Sequence, residues 1–363
     1  MAVTPEERRA VLVESHRLFS KRSNLELEWV DRQKFLQSRG YMLRSRYRPE
    51  WVPSWQGLDK LPIECEDGIL LPLRPELTDA TRISDGKLVY IKRVKTGDQE
   101  SRIATMLSSP PLLNDPANHC VRVLDLFQDE DDAAVSYMVM PFLRLVDDPP
   151  FETVWDLLDL ATQLLEVSAN DSHCSYKNLM MDADALFPNG FHPIRKFSLP
   201  DGFTPAPWRS RKDMPIKYYY VDFGISVQIP PNTHAKLAVG PYGRDQEVPE
   251  LSADIPYDPF KVDIFIIGNF FRRNLYDVFS NVDFFLPLIE SMTRRRPESR
   301  PTAEEALSQW QIIRERVSHV HRAWRPRRRD EFWIEKVAYD TYSLFEGMYR
   351  AGKWLFNQAS SGT

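Results

Sequence analysis

The stretch Lys87–Ser109, KLVYIKRVKTGDQESRIATMLSS, decides how the rest of the chain is read. Its first part, KLVYIKRV, follows the turn pair Asp85-Gly86 and is rich in β-branched and aromatic residues, which predicts a strand. ESRIATMLSS predicts a short helix that Glu100 opens. A strand-borne lysine followed by a helical glutamate can form an ion pair that holds nucleotide phosphates. Here Lys92 and Glu100 are eight residues apart, so the helix has to begin almost directly after the strand. Taken alone, Lys92 reads more simply as a solvated strand lysine.

Working outward, GILLPLRPEL before this stretch and CVRVLDLFQD and VSYMVMPFL after it read as further strands. From Phe151 the pattern turns helical. In FETVWDLLDLATQLLE, Val154, Leu157, Leu158, Ala161, Leu164 and Leu165 share one face. A strand-rich first half and a helix-rich second half predict an α+β chain in two lobes. Pro5 to Arg39 carries helical periodicity, and the Pro- and Trp-rich Arg44–Trp55 reads as an extended segment with little regular structure. The stretch from Ala183 to Pro215, rich in Pro, Gly and Phe, reads as an inserted hairpin or ordered loop. The expected layout is an extension over 1–67, a strand-rich lobe over 68–143, a helical lobe over 144–324 interrupted at 183–215, and a basic linker with a terminal helix over 325–363.

Bulk properties narrow the function classes. The 363 residues are 42% hydrophobic and 27% charged, ordinary for a folded protein, and the net charge of −5 gives no whole-chain reason to expect nucleic-acid binding. Cys65, Cys120 and Cys174 are scattered without metal or disulfide spacing, which suggests a reducing compartment. MAVTPEERRAVLVES lacks the apolar core of a secretory signal, and VDIFIIGNFF is too short to span a bilayer. The expectation is an intracellular, cytoplasmic protein without a transmembrane segment. RPRRRDEF is open to a nuclear address but reads more simply as a solvated linker, and the aromatic tail after it as a helix packed on the larger lobe.

Three further stretches carry chemistry. KNLMMD offers Asn178 as an oxygen donor to a divalent cation, ahead of an apolar strand. YYYVDFGIS ends a hydrophobic strand in Asp222-Phe223-Gly224, a geometry that presents a carboxylate to Mg²⁺. EVPEL supplies Glu250, YDPFKVDIFIIG places Asp263 ahead of an apolar helix, and RRRPESRPTAEEAL supplies Arg300 just before another. A buried Glu–Arg pair would tie a loop to the helical core.

In this order, the landmarks resemble the protein kinase family from about Gly68 to Trp310, and in particular its divergent fungal kinase-like members. The resemblance implies that Lys92 contacts the α/β-phosphates of ATP and pairs with Glu100, and that Asn178 and Asp222 hold Mg²⁺. It implies that Met140 to Leu143, including Phe142, form the hinge that binds adenine through the backbone. Glu250, Asp263 and Arg300 would be structural. The chain departs from the family in two places. No G-x-G-x-x-G precedes Lys92, and the H-R-D-L-x-x-x-N pattern puts His173 where the catalytic Asp belongs, with Asp171 two residues earlier. The expected function is ATP-dependent phosphoryl transfer to hydroxyls of a protein substrate, with a disrupted catalytic loop. The alternative is a pseudokinase that binds a protein partner. Small-molecule phosphotransferases fit less well, because the Pro-Glu segment and Arg300 match the protein-kinase pattern.

Overall fold

A computed structural model describes residues 4–70, 74–166, 178–224, 237–241 and 245–345. Among the described residues the chain mixes helices with a five-stranded antiparallel sheet, a three-stranded sheet and a two-stranded one. It divides into two units, each made of separate stretches. One comprises Met1–Leu113, Cys120–Arg144 and Asp182–Arg209, and the other Asn114–His119, Leu145–Met181 and Ser210–Thr363.

The first unit begins with α1 (Pro5–Phe19) and α2 (Asn24–Ser38), separate helices started by Thr4 and Ser23. Each cap residue accepts the backbone N–H of a glutamate three positions on, whose carboxylate reaches back to the cap N–H. The sheet follows the order β1-β2-β3-β5-β4, from β1 (Tyr41–Met42), β2 (Leu77–Arg82), β3 (Leu88–Lys95), β4 (Asp125–Gln128) and β5 (Val135–Pro141). α3 (Gln99–Leu107) connects β3 towards β4, and β6 (Arg144–Leu145) follows β5. One sheet face, with Ala80, Val89, Ile91 and Val139, packs with Trp29, Val30 and Leu36 of α2. Of the expected extension over 1–67, the stretch Trp29 to Tyr47 therefore contributes to this core, while α1 buries none of its residues.

Two other expectations change. Among the described residues, 68–76 holds no strand; β2 starts at Leu77, after Pro75, whose missing N–H removes a ladder donor. The inserted stretch is ordered and groups with the sheet-bearing unit as Asp182–Arg209. Its Phe187, Phe191 and Phe197 lie around the Arg144 guanidinium, with ring centroids 4.4, 4.9 and 4.9 Å away. Arg144 also donates to the Lys196 carbonyl at 2.8 Å. Cation–π contact and a charge-assisted hydrogen bond together latch the insertion.

The second unit contains α4 (Val154–Glu166), the antiparallel pair β7 (Leu179–Met181) and β8 (Tyr218–Tyr220), and the pair β9 (Ala238–Gly240) and β10 (Ser252–Tyr257). α5 (Pro259–Phe270) runs into a π-helical turn (Phe271–Tyr276), followed by α6 (Leu286–Met292), α7 (Ala303–Arg316) and α8 (His319–Ala323). Fully buried Trp310 of α7 stacks on Phe285 at 4.9 Å and donates to Thr162 of α4 at 3.0 Å. No helix among the described residues is long and apolar enough to cross a membrane.

The C-terminal expectations also shift. Arg325 is no solvated linker residue: it pairs with Glu331 and Asp340, and Arg327 pairs with the same Asp340. Of the tail helix, 333–345 is tied down through Asp340 but leaves Trp333, Val337 and Phe345 exposed, and the rest of the expected helix lies outside the described residues.

Candidate functional site

The register of β2, β3 and β5 sorts the side chains of the first candidate site. Directly paired residues of an antiparallel ladder point to the same face. Leu77 pairs with Lys92 and Asp79 with Tyr90, while Lys92 pairs with Met138 and Tyr90 with Met140. Leu77, Asp79, Tyr90, Lys92, Met138 and Met140 therefore share the face opposite the α2-packed core.

On that face Lys92 donates to Glu100 Oε1 at 2.5 Å. The short spacing works because Gly97 takes a φ of 73°, which a side chain would oppose, and Asp98 then caps α3 by accepting the Ser101 N–H. Glu100 sits in the first turn of α3, where the helix dipole favours a carboxylate. The two side chains are 19% and 12% exposed, so the pair is partly shielded yet reachable.

Beside Lys92, Tyr90 stacks on Phe142 with ring centroids 4.4 Å apart and planes 20° from parallel. Phe142 in turn meets Phe191 of the insertion edge-on at 5.7 Å. Burial pushes the Tyr90 phenol up to about 12, helped by the charge of Asp79 across the ladder. The Phe142 N–H donates to the Leu88 carbonyl at 3.3 Å. The hinge contact that the resemblance implies for Phe142 would have to displace that bond, and Pro141 has no N–H to offer. Met140 is half-buried and Leu143 buried.

Asp79 is 1% exposed, and burial raises its pKa against the opposing charge of Arg44, whose Nε lies 3.2 Å from Oδ2. Arg44 also meets Glu66 at 3.5 Å. His192, buried within the insertion, accepts the Ile194 and Arg195 N–H groups at Nδ1, which leaves its proton on Nε2, 3.6 Å from Glu66 Oε1.

In the second unit the β7–β8 ladder brings the expected metal donors to one end. Leu179 pairs with Tyr220, and the Asn178 carbonyl accepts the Val221 N–H at 2.8 Å, so Asp222 lies one residue beyond. Asn178 is buried. Asp222 is the one non-glycine residue with positive φ, 69°, among the described residues. Such a conformation costs on the order of 1–3 kcal/mol and gathers at functional sites. An amide carbonyl and a carboxylate are hard oxygen donors that suit Mg²⁺, which takes few protein ligands alongside phosphate oxygens. No cluster of three or more His, Cys, Asp or Glu side chains suited to a metal occurs among the described residues. That leaves Asn178 and Asp222 as a donor set that fits Mg²⁺ only with further oxygens.

The structural trio is also placed. Arg300, with its side chain fully buried, grips Glu250 with two hydrogen bonds of 2.5 and 2.9 Å, and donates to the carbonyls of Lys261 and Arg294. Asp263 lies inside α5, not ahead of it; Asp258 is the cap, and the helix starts at Pro259. Asp171 and His173 lie outside the described residues.

Sequence reasoning missed Tyr90, Asp79, Arg44, Glu66 and His192. The signal for Tyr90 was its place two residues before Lys92, which strand alternation puts on the same face. Asp79 and His192 had no local signal, because their burial comes from chain segments far away in sequence. Comparison with protein-family models finds none that matches this chain, and no curated protein is found to be similar to it.

Proposed function

We propose that this chain is a two-lobed, protein-kinase-like protein whose family chemistry is ATP-dependent phosphoryl transfer to protein hydroxyls. The observation that carries the reading is the Lys92–Glu100 pair, formed between a central strand and the helix that follows it. In this reading Glu100 holds the Lys92 ammonium on the α/β-phosphates. Asn178 and Asp222 would hold Mg²⁺, which supplies charge neutralisation on the transferred phosphoryl group. The Glu250–Arg300 pair fixes the segment before α5, so that a bound protein substrate meets a set backbone.

A second reading, a pseudokinase that binds a partner without transferring phosphate, is favoured by Tyr90 and Phe142. Their stacked rings take up the sheet face beside Lys92 where the resemblance puts the adenine, and the Phe142 amide is already engaged. His173 at the position of the catalytic base supports the same reading.

Calorimetric titration of the full chain with Mg·ATP, alongside a phosphate-transfer assay on a generic protein substrate, separates the two. Saturable binding lost in Lys92→Met, with transfer lost in Asp222→Asn, supports the enzyme. Binding that appears or strengthens about tenfold only in Tyr90→Ala, with no transfer, supports the pseudokinase. Absence of nucleotide binding in both the native chain and Tyr90→Ala removes the nucleotide role of Lys92.

A further inference from the structure

The last described helix, 333–345, presents its faces the wrong way round for a surface helix. At about 100° per residue, Trp333, Ile334, Val337, Tyr342, Leu344 and Phe345 fall within one half of its circumference, with Ala338 and Thr341 between them. Among the described residues of the helix, none in that half is charged. Glu335, Lys336, Tyr339, Asp340 and Ser343 make up the other half. An amphipathic helix on a finished surface turns its apolar stripe to the core. Here the half-buried positions are Asp340 and Ser343, on the polar side, and the apolar six are exposed.

Ion pairs fix this orientation. Asp340 accepts from Arg325 Nε and from Arg327 Nη2, each at 2.8 Å. Arg325 also grips Glu331, just before the helix, with two bonds of 2.7 and 2.9 Å. These side chains are partly shielded, so the pairs are worth more than fully exposed ones. Rolling the helix over to bury its stripe against its own protein would break them.

The exposed face is large. Trp333, Tyr342 and Phe345 are 75%, 68% and 67% exposed, and Ile334, Val337 and Leu344 are each more than half exposed. Together they offer about 400–700 Å² of apolar surface. The largest patch on an ordinary monomer is about 300–600 Å², and each partner of a standard interface buries about 800 Å². The face therefore supplies most of what a stable dimer needs.

Charge argues against a lipid surface as the occupant. Helices that lie on membranes carry Lys and Arg on the polar face. This one carries Glu335 and Asp340 against Lys336, and the neighbouring Arg325, Arg327, Arg328 and Arg329 are all matched by carboxylates. An uncharged stripe asks for no charge in its partner, so a second copy complements it with no further feature, and two-fold pairs of one chain are the commonest soluble assemblies. We propose that helix 333–345 is the contact through which two copies of this chain associate, apolar face on apolar face across a two-fold axis.

Sedimentation equilibrium of the full chain from about 1 to 100 μM is expected to show a monomer–dimer equilibrium. Val337→Glu and Leu344→Glu each put a charge into the face and should each raise the dissociation constant about tenfold or more. Lys336→Gln makes the same change in net charge on the polar side and should leave it within about twofold. Circular dichroism checks that each variant folds; both Glu positions are exposed, and should one variant fail to fold, the other decides. A native chain that stays monomeric over the whole range overturns the proposal, including when the chain floats with vesicles of phosphatidylcholine and phosphatidylserine, which would assign the face to lipid. A dimer equally stable in the Glu variants overturns it too, because its contact lies elsewhere.

Discussion

Arg300 shows how one residue can carry a whole segment. Its side chain is fully buried, bidentate to Glu250, and capped on its remaining nitrogens by backbone carbonyls. Breaking such a pair strands a buried charge, which costs about 3–5 kcal/mol, whereas the intact pair contributes far less than that over an apolar substitute. Glu250→Gln should therefore lower stability by roughly 3 kcal/mol in urea denaturation, and Glu250→Leu with Arg300→Met together by less than either single change. A strictly additive double variant would show that the two do not act as a unit. This pair was legible in the sequence, because Pro301-Thr302 marks a helix start and places Arg300 at its mouth. Asp263 was misplaced by the same kind of reading: Pro259 and Asp258 begin α5 earlier than the apolar run does.

At the scale of elements, small geometric allowances decide how helices and strands meet. In α5, a Cβ built on Gly268 would lie 2.8 Å from the Met292 Cβ and 2.9 Å from the Thr293 Cγ2, so glycine is what lets α5 and the end of α6 approach. Gly268→Ala gains helix propensity but overpacks the contact, and the net expected loss is about 1–2 kcal/mol, read as a lower melting temperature. Gly268 was visible inside an apolar helix, but its neighbour was not.

The segment before β4 is held on β8 by His119, whose carbonyl accepts the Tyr220 N–H and whose Nδ1 lies 3.0 Å from the Tyr218 carbonyl. Burial is the main reason that its pKa falls below the ordinary value near 6.5, against the pull of Glu166 at 3.7 Å. The unfolded chain then binds the proton more tightly than the folded one. Stability is full above 6.5 and declines as pH falls through 6.5 towards the lower folded value. Urea midpoints at about pH 7.5 and about pH 5.5 should differ in the native chain and differ less in His119→Gln. Equal pH dependence in both would assign the acid sensitivity elsewhere.

At the scale of the whole molecule, neither unit is a continuous piece of chain. The sheet-bearing unit needs Asp182–Arg209, which supplies Phe187 and Phe191, each 2% exposed, to the ring cluster around Arg144 and Phe142. Burying such a side chain contributes about 1.5–3 kcal/mol. A fragment ending at Arg144 would leave Phe142 and Arg144 uncovered. It should unfold at lower urea than the full chain and bind a hydrophobic dye; a fragment as stable as the full chain would show that the insertion adds nothing to this unit.

By itself, the sequence determined the helices and strands that have strong local signals. The capping boxes at Thr4 and Ser23, the strand KLVYIKRV, the amphipathic run from Val154 and the turn at Gly97 and Asp98 follow from residues within a few positions of each other. The Lys92–Glu100 pair belongs with them, because one tight turn closes it. Only the tertiary structure decided that Trp29 to Tyr47 pack into the sheet's core, that the insertion latches onto Arg144, and that Tyr90 stacks on Phe142. Those outcomes depend on long-range packing. Periodicity states that a face is apolar, but the register and the partner of that face are set by segments tens of residues away.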